Sequence, residues 1–228
     1  MAVHSPGRPH DLPPAEVIWA RWAALAAVLS PPETVPSGVW LDDDGLHLGT
    51  PGGAWAAMAW AGEGQAVLFG DDEAGETKWH EPPIDVLAGA PDWLPYERLE
   101  DHLEGGELGF VHWYEDAAWH RTPYPGDLDD GLIPAIGGFI RRADAALQME
   151  HRLCVDRSAH AACERLLVCA ERHAVTAEVV RTFVDRTGRP DADITAILAT
   201  ARHAGLMSRP RPRSSAPPKK RGRREQPA

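Results

Sequence analysis

Between Val39 and Leu153 the sequence contains no serine and no cysteine. A serine or thiol nucleophile is therefore excluded over that stretch, and Thr50, Thr77 and Thr122 sit in no recognisable nucleophile turn. Lysine is almost missing: Lys219 and Lys220 lie near the C-terminus, and Lys78 is the only other one. There is no G-x-x-x-x-G-K-[ST] run, and Gly62-Glu63-Gly64 leads into a strand rather than a helix, so no phosphate cradle is built. No run approaches the ~18 consecutive apolar residues of a membrane helix. The first fourteen residues hold four prolines and no apolar leader core. Cys154, Cys163 and Cys169 are few and odd in number, the pattern of reduced thiols and a cytoplasmic address.

What is present is apolar and acidic. Of 228 residues, 43% are apolar and nine are Trp, enough to bury a sizeable core in one large domain or two small ones. Arginine far outnumbers lysine, and Ala and Pro are abundant, the composition of a GC-rich genome. The formal net charge of −11 is unevenly spread. Residues 208–228 carry eight bases and one acid, whereas residues 40–135 carry 21 acids and three bases, a local excess of −18. A field of that size attracts cations or basic partners and repels nucleic acid, and it also serves as a solubilising surface.

The hydrophobic patterning predicts an α+β protein: an antiparallel β-meander with an N-terminal helix, a C-terminal helical segment and a disordered basic tail. Pro13-Pro14 opens a first helix, whose apolar stripe includes Val17, Ile18, Trp22, Leu25, Val28 and Leu29, and Pro31-Pro32 ends it. Strands are expected at 39–41 and 46–48 around Asp42-Asp43-Asp44-Gly45, then at 54–60, 66–69 and 77–80. Pro95 starts a short helix through His102, with Tyr96, Leu99 and Leu103 facing inward. A further hairpin, 108–114 with 117–121, turns at Glu115-Asp116. Helices are expected near 134–153, 159–173, 177–187 and 194–204, with Thr176 and Asp193 as N-caps and Gly188 and Gly205 as stops. The chain divides into a disordered N-terminus (1–12), an acidic Trp-rich α+β region (13–131), a helical segment (132–207) and a disordered basic tail (208–228), whose composition cannot bury enough apolar surface to offset ordering entropy.

Four acidic runs, Asp42–Asp44, Asp71-Asp72-Glu73, Glu115-Asp116 and Asp129-Asp130, could bind a hard cation, but all fall in expected turns, where Asp is favoured for local hydrogen bonding. His80, His112 and His120 lie beside aromatics and would form a metal or pH-sensitive site if they shared a sheet face. His151/Cys154, His160/Cys163 and Cys169/His173 have helix-face spacing but match no zinc pattern. A helix-turn-helix at 177–204 is disfavoured by its long connection and by Asp191 and Asp193 at the start of the second helix. The tail cations Arg209, Arg211, Arg213, Lys219, Lys220, Arg221, Arg223 and Arg224 suit unspecific phosphate contact, with no aromatic residue to stack on bases.

The stretch Gly53-Ala54-Trp55, Trp60-Ala61-Gly62, Ala66-Val67-Leu68-Phe69-Gly70-Asp71 and Asp85-x-Leu87-Ala88-Gly89-Ala90-Pro91-Asp92-Trp93 resembles short actinobacterial proteins without assigned activity. It is also loosely similar to the acidic, Trp-rich immunity proteins of the SUKH superfamily, which implies an α+β fold and a toxin-binding role. The expectation is a non-enzymatic acidic module without cofactor. It would bind a basic protein through Trp79, Trp113, Tyr114 and Trp119 at the sheet surface, with Asp71, Asp72, Glu115 and Asp116 steering, in an immunity-type or regulatory role. The alternatives are a metal-assisted hydrolase using His112, His120 and nearby carboxylates, and a nucleic-acid-associated protein acting through its tail. No membrane partner is expected.

Overall fold

The computed structural model describes residues 11–30, 38–50 and 52–207. The expected disorder of the tail, its eight cations, the role of Pro31-Pro32 and nearly all of the N-terminal segment 1–12 lie outside the described residues.

Pro14 precedes helix α1 (Ala15–Val28), and all but two of its residues are buried. A helix apolar on every side must be surrounded, and α1 is enclosed by the sheet and the later helices. Trp19 Nε1 donates to the Ala204 carbonyl (2.9 Å), and Trp22 Nε1 donates to the His47 carbonyl (3.3 Å). Trp22 stacks on Phe139 at 5.4 Å.

The meander is a six-stranded antiparallel sheet in sequence order. Its strands are β1 (Val39–Asp42), β2 (Gly45–Gly49), β3 (Trp55–Gly62), β4 (Gln65–Asp71), β5 (Phe110–Glu115) and β6 (Ala118–Arg121). In the β1–β2 turn the Asp42 carboxylate accepts from the Asp44 N–H. The β5–β6 turn places Asp116 and Ala117 at positive φ (51° and 60°), the sense that matches strand twist.

Both faces of the sheet are covered. Ala56, Met58, Leu68, Phe110 and Tyr114 join α1 and the C-terminal helices in one core, so residues 13–131 and 132–207 share it. Ala57, Val67, Phe69, Val111 and Trp113 face a second core closed by Val86, Leu94, Leu99 and Leu108. That cover is the β4–β5 crossover, residues 72–109, which contains α2 (Tyr96–Glu104). The crossover corrects three expectations. Residues 77–79 form a 3-10 turn rather than a strand, because β4 pairs directly with β5. Leu103 points outward, 43% exposed, while Leu99 alone of α2 is fully buried. Trp113, Tyr114 and Trp119 are buried rather than displayed, because Trp113 joins the second core and Tyr114 and Trp119 of β5 and β6 join the first. Trp119 packs on Tyr114 at 5.1 Å and donates from Nε1 to the Pro13 carbonyl.

The single helix expected over 134–153 is two, α3 (Leu132–Ile140) and α4 (Arg142–Leu153), with Arg141 extended between them. The reason comes from α1. Buried Arg21 donates to the Phe139 and Ile140 carbonyls (3.0 and 2.5 Å), taking the acceptors at the end of α3. Its Nε donates to Glu171 on α5 (His160–Glu171) at 2.7 Å, and Arg142 binds the same carboxylate. Burial works to raise the Glu171 carboxyl, but the two guanidiniums outweigh it and hold it below the ordinary range. Helices α6 (Ala177–Thr187) and α7 (Ile194–His203) begin where expected: the Thr176 side chain accepts from Val179 N, and the Asp193 carboxylate from Thr195 N and Ala196 N.

Candidate protein-binding surface

The crossover carries eleven carboxylates against Lys78 and Arg98. Its first turn is pinned at several points. Gly75 N–H donates to the Asp72 carbonyl (2.8 Å), and the Asp72 carboxylate accepts from Ala74 N–H (3.3 Å). Glu76 N–H donates to the Asp129 carbonyl (2.6 Å), and Asp129 N–H donates back to the Glu76 carboxylate (3.0 Å). Thr77 Oγ1 donates to the Gly109 carbonyl at 2.6 Å in a buried bond. Lys78 Nζ donates to Asp71 Oδ2 (2.6 Å) and reaches the Gly106 carbonyl beyond α2 (3.5 Å). The next residue, Trp79, closes the turn with its N–H on the Glu76 carbonyl, yet its side chain is 74% exposed. Lys78 Nζ lies 5.9 Å from its ring centroid. A rigid frame thus holds one large aromatic side chain out in water. Exposed Glu73, Glu76, Glu104 and Glu107 lie on the same segment.

The other proposed contact residues are not gathered at one surface. Asp71 and Asp72 are buried and serve the turn itself. Asp71 Oδ1 has no hydrogen-bond partner, and a Cβ on Gly109 would come within 2.6 Å of it, so that glycine leaves it room. Glu115 accepts from Trp93 Nε1 (3.0 Å), tying the crossover to the end of β5. Asp116 is exposed at the opposite hairpin tip, and Trp113, Tyr114 and Trp119 belong to the cores.

On the helix-facing side lies a network that sequence reasoning missed. His112 and Asp130 are fully buried, with Nε2 3.3 Å from Oδ2. Tyr124 donates its hydroxyl to the same oxygen (2.7 Å), and the other oxygen accepts the Leu132 N–H at the start of α3 (3.1 Å). Burial works to raise the Asp130 carboxyl, but His112, Tyr124 and the Leu132 N–H hold it below the ordinary range. Burial and Asp130 push the Tyr124 phenol upward. His112 Nδ1 has no partner. The arrangement resembles a catalytic dyad only in outline. The ring and carboxylate are sealed from solvent, and neither serine nor cysteine lies anywhere in the sheet region. It joins β5 to the start of α3.

The three-histidine site does not form. His112 pairs across the ladder with Arg121, and His120 with Trp113, so the two rings project from opposite faces. His120 is exposed against Trp113, while His80 lies off the sheet with Nδ1 2.8 Å from the Pro82 carbonyl. Among the described residues no group of three His, Cys, Asp or Glu side chains gathers in a geometry that could hold a metal ion. Two of the helical histidines have partners outside their predicted pairs. His160 bonds to Glu150, and His173 Nδ1 lies 2.9 Å from the Gly205 carbonyl. Burial and Glu150 push the Cys163 thiol up to about 11. All three cysteines are unpaired. No helix among the described residues is long and apolar enough to cross a membrane.

The chain matches no protein-family model, and no curated protein or solved structure is significantly similar to it.

Proposed function

We propose that this chain is a non-enzymatic binding module that takes a basic protein partner on its acidic crossover segment, with Trp79 as the anchor. The observation that supports this most is the 74% exposure of Trp79 on a turn held by buried and part-buried hydrogen bonds. Tryptophan is enriched among the few residues that carry binding energy at interfaces. A pre-ordered turn presents it with little further loss of conformational freedom. The surrounding carboxylates steer a positively charged surface toward it and disfavour acidic competitors. The anchor is thus narrower than the sequence expectation, with Trp113, Tyr114 and Trp119 left to the cores. The resemblance to SUKH-type immunity proteins points to the same class of role, neutralisation or regulation of a basic protein, and the sparse unpaired thiols fit a cytoplasmic address.

The test is capture from native lysate with wild-type and Trp79→Ala baits. Wild type retains a basic protein at near one-to-one stoichiometry at low salt and releases it as salt rises, and Trp79→Ala does not retain it. Equal capture by both baits, or none by wild type at any salt, overturns the proposal.

A further inference from the structure

We infer that Asp130 is the positioning residue for Trp79: seated against His112 and Tyr124, it fixes the corner of chain to which the Trp79 turn is tied, so the order of that turn is governed from inside the protein. The geometry stands by itself, and its consequence for partner binding rests on the binding reading above.

The tie runs through consecutive contacts. Trp79 N–H donates to the Glu76 carbonyl (3.1 Å). Glu76 is held in turn by two bonds to Asp129, its N–H on the Asp129 carbonyl (2.6 Å) and its carboxylate on the Asp129 N–H (3.0 Å). Asp129 Oδ1 accepts from Gly131 N–H (3.0 Å), and between these two residues the Asp130 side chain is fully buried. Its Oδ1 accepts from Leu132 N–H (3.1 Å), while its Oδ2 accepts from Tyr124 Oη (2.7 Å) and faces His112 Nε2 (3.3 Å). His112 is itself fixed within the sheet, paired across the ladder with Leu68 of β4 and Arg121 of β6.

Backbone packing makes the same connection. Gly131 has a φ of 82°, and a Cβ there would lie 2.8 Å from Asp72 Cβ and 3.0 Å from Asp72 N. A Cβ on Gly109, whose carbonyl accepts from Thr77 Oγ1, would lie 3.3 Å from the Asp130 carbonyl oxygen. Residues 130 and 131 are thus wedged against the start of the Trp79 turn and against the residue that receives Thr77.

Little else positions this corner. Residues 123–129 contain no helix or strand, and of residues 123–130 only Asp130 is buried. A segment with few buried contacts opens locally at low free energy unless an anchor holds it. Asp130 is such an anchor, because it cannot leave its seat without leaving buried polar groups unpaired. Loss of the carboxylate therefore loosens Asp129, and with it the Glu76–Trp79 stretch, which Thr77 and Lys78 still hold from the other side. The indole then loses the pre-ordering that favours binding. Linkage is reciprocal, so a partner bound at Trp79 also steadies the Asp130 corner.

Hydrogen exchange of the full ¹⁵N-labelled chain tests this, with the Glu76 and Trp79 amides read against amides of the β3–β4 ladder in the same sample. Asp130→Ala raises exchange of the turn amides relative to the ladder by at least about tenfold. Asp130→Asn, which keeps an acceptor for Leu132 N–H, raises it less. Tyr124→Phe removes a single donor, serves if Asp130→Ala does not fold, and raises the ratio by at least about threefold. Glu171→Gln disturbs the Arg21 network among the helices and leaves the ratio at its wild-type value. An unchanged ratio in Asp130→Ala or in its substitute Tyr124→Phe, or an equal rise in Glu171→Gln, overturns the inference. Nona-arginine, titrated calorimetrically at low salt, probes the binding surface. It binds the loosened variants at least about fivefold more weakly than wild type. If Trp79→Ala weakens nona-arginine binding and the loosened variants do not, the inference is overturned and the binding surface stands. If the exchange ratio rises as expected but nona-arginine binds Trp79→Ala as tightly as wild type, the positioning role stands and the binding reading falls.

Discussion

Replacing Asp130 with Ala tests the buried network most sharply. The carboxylate accepts from Tyr124 Oη and Leu132 N–H and faces His112 Nε2. His112 already has one unpartnered ring nitrogen, so the substitution leaves the whole imidazole without a hydrogen-bond partner and also orphans the phenol and the first N–H of α3. Removing one member of a buried pair costs about 3–5 kcal/mol. For a chain of this size that lowers Tm by about 6–20 °C. Urea unfolding followed by circular dichroism reads the loss as a lower midpoint at unchanged slope. Asp127→Ala, at an exposed site, stays within about 0.5 kcal/mol of wild type. In the double variant His112→Leu/Asp130→Ala no imidazole is left stranded, so its cost falls short of the sum of the single changes by about 1–3 kcal/mol. An Asp130→Ala protein within 1 kcal/mol of wild type, or strictly additive costs, would show that the network stabilises nothing and refute the reasoning.

Further outcomes follow from other sites. The carboxyls of Asp130, Glu171 and Asp42 are all held below their ordinary values in the fold. A depressed folded pKa contributes stability above the unfolded value and loses it as pH falls through the folded one. Urea midpoints should therefore be flat from pH 7 to about pH 5 and fall steeply below pH 4; a flat profile down to pH 3 contradicts this. With iodoacetamide and mass spectrometry, exposed Cys154 is alkylated first and Cys163 only after unfolding, its thiol being buried and pushed up to about 11. A Cβ on Gly70 would lie 2.2 Å from the Trp55 carbonyl oxygen and 2.8 Å from the Ala56 Cα. Gly70→Ala accordingly destabilises the β3–β4 ladder by about 1–3 kcal/mol in the same urea assay.

The elements that were legible in the sequence are those written locally. The β1–β2 turn, the Thr176 and Asp193 caps and the α6 boundaries depend on residues within four positions of one another. The layers were harder to read because their causes are distant. Arg21 breaks α3 from α4 and meets Glu171 across 150 positions, and His112 meets Asp130 across 18. Each left a trace: one charge in the otherwise apolar run Trp19-Ala20-Arg21-Trp22, and one imidazole in Phe110-Val111-His112-Trp113-Tyr114. A strand without polar alternation is covered on both faces, and applied to β5 that pattern would have placed Trp113 and Tyr114 inside. Trp79 was among the candidate anchors, but its distinction from the other three became visible only with the crossover folded over the sheet. The pinning of its turn depends on Asp129, Gly109 and Gly106, which lie outside that turn in sequence.

The central claim is that Trp79 anchors a basic partner. Isothermal titration of the captured partner against wild type and Trp79→Ala at 50 and 300 mM salt tests it most directly. The expected result is a loss of at least about 30-fold in affinity for Trp79→Ala, the scale of an interface hot spot, with weaker binding of wild type at the higher salt. Affinities for the two proteins within twofold of each other at both salt concentrations would contradict it.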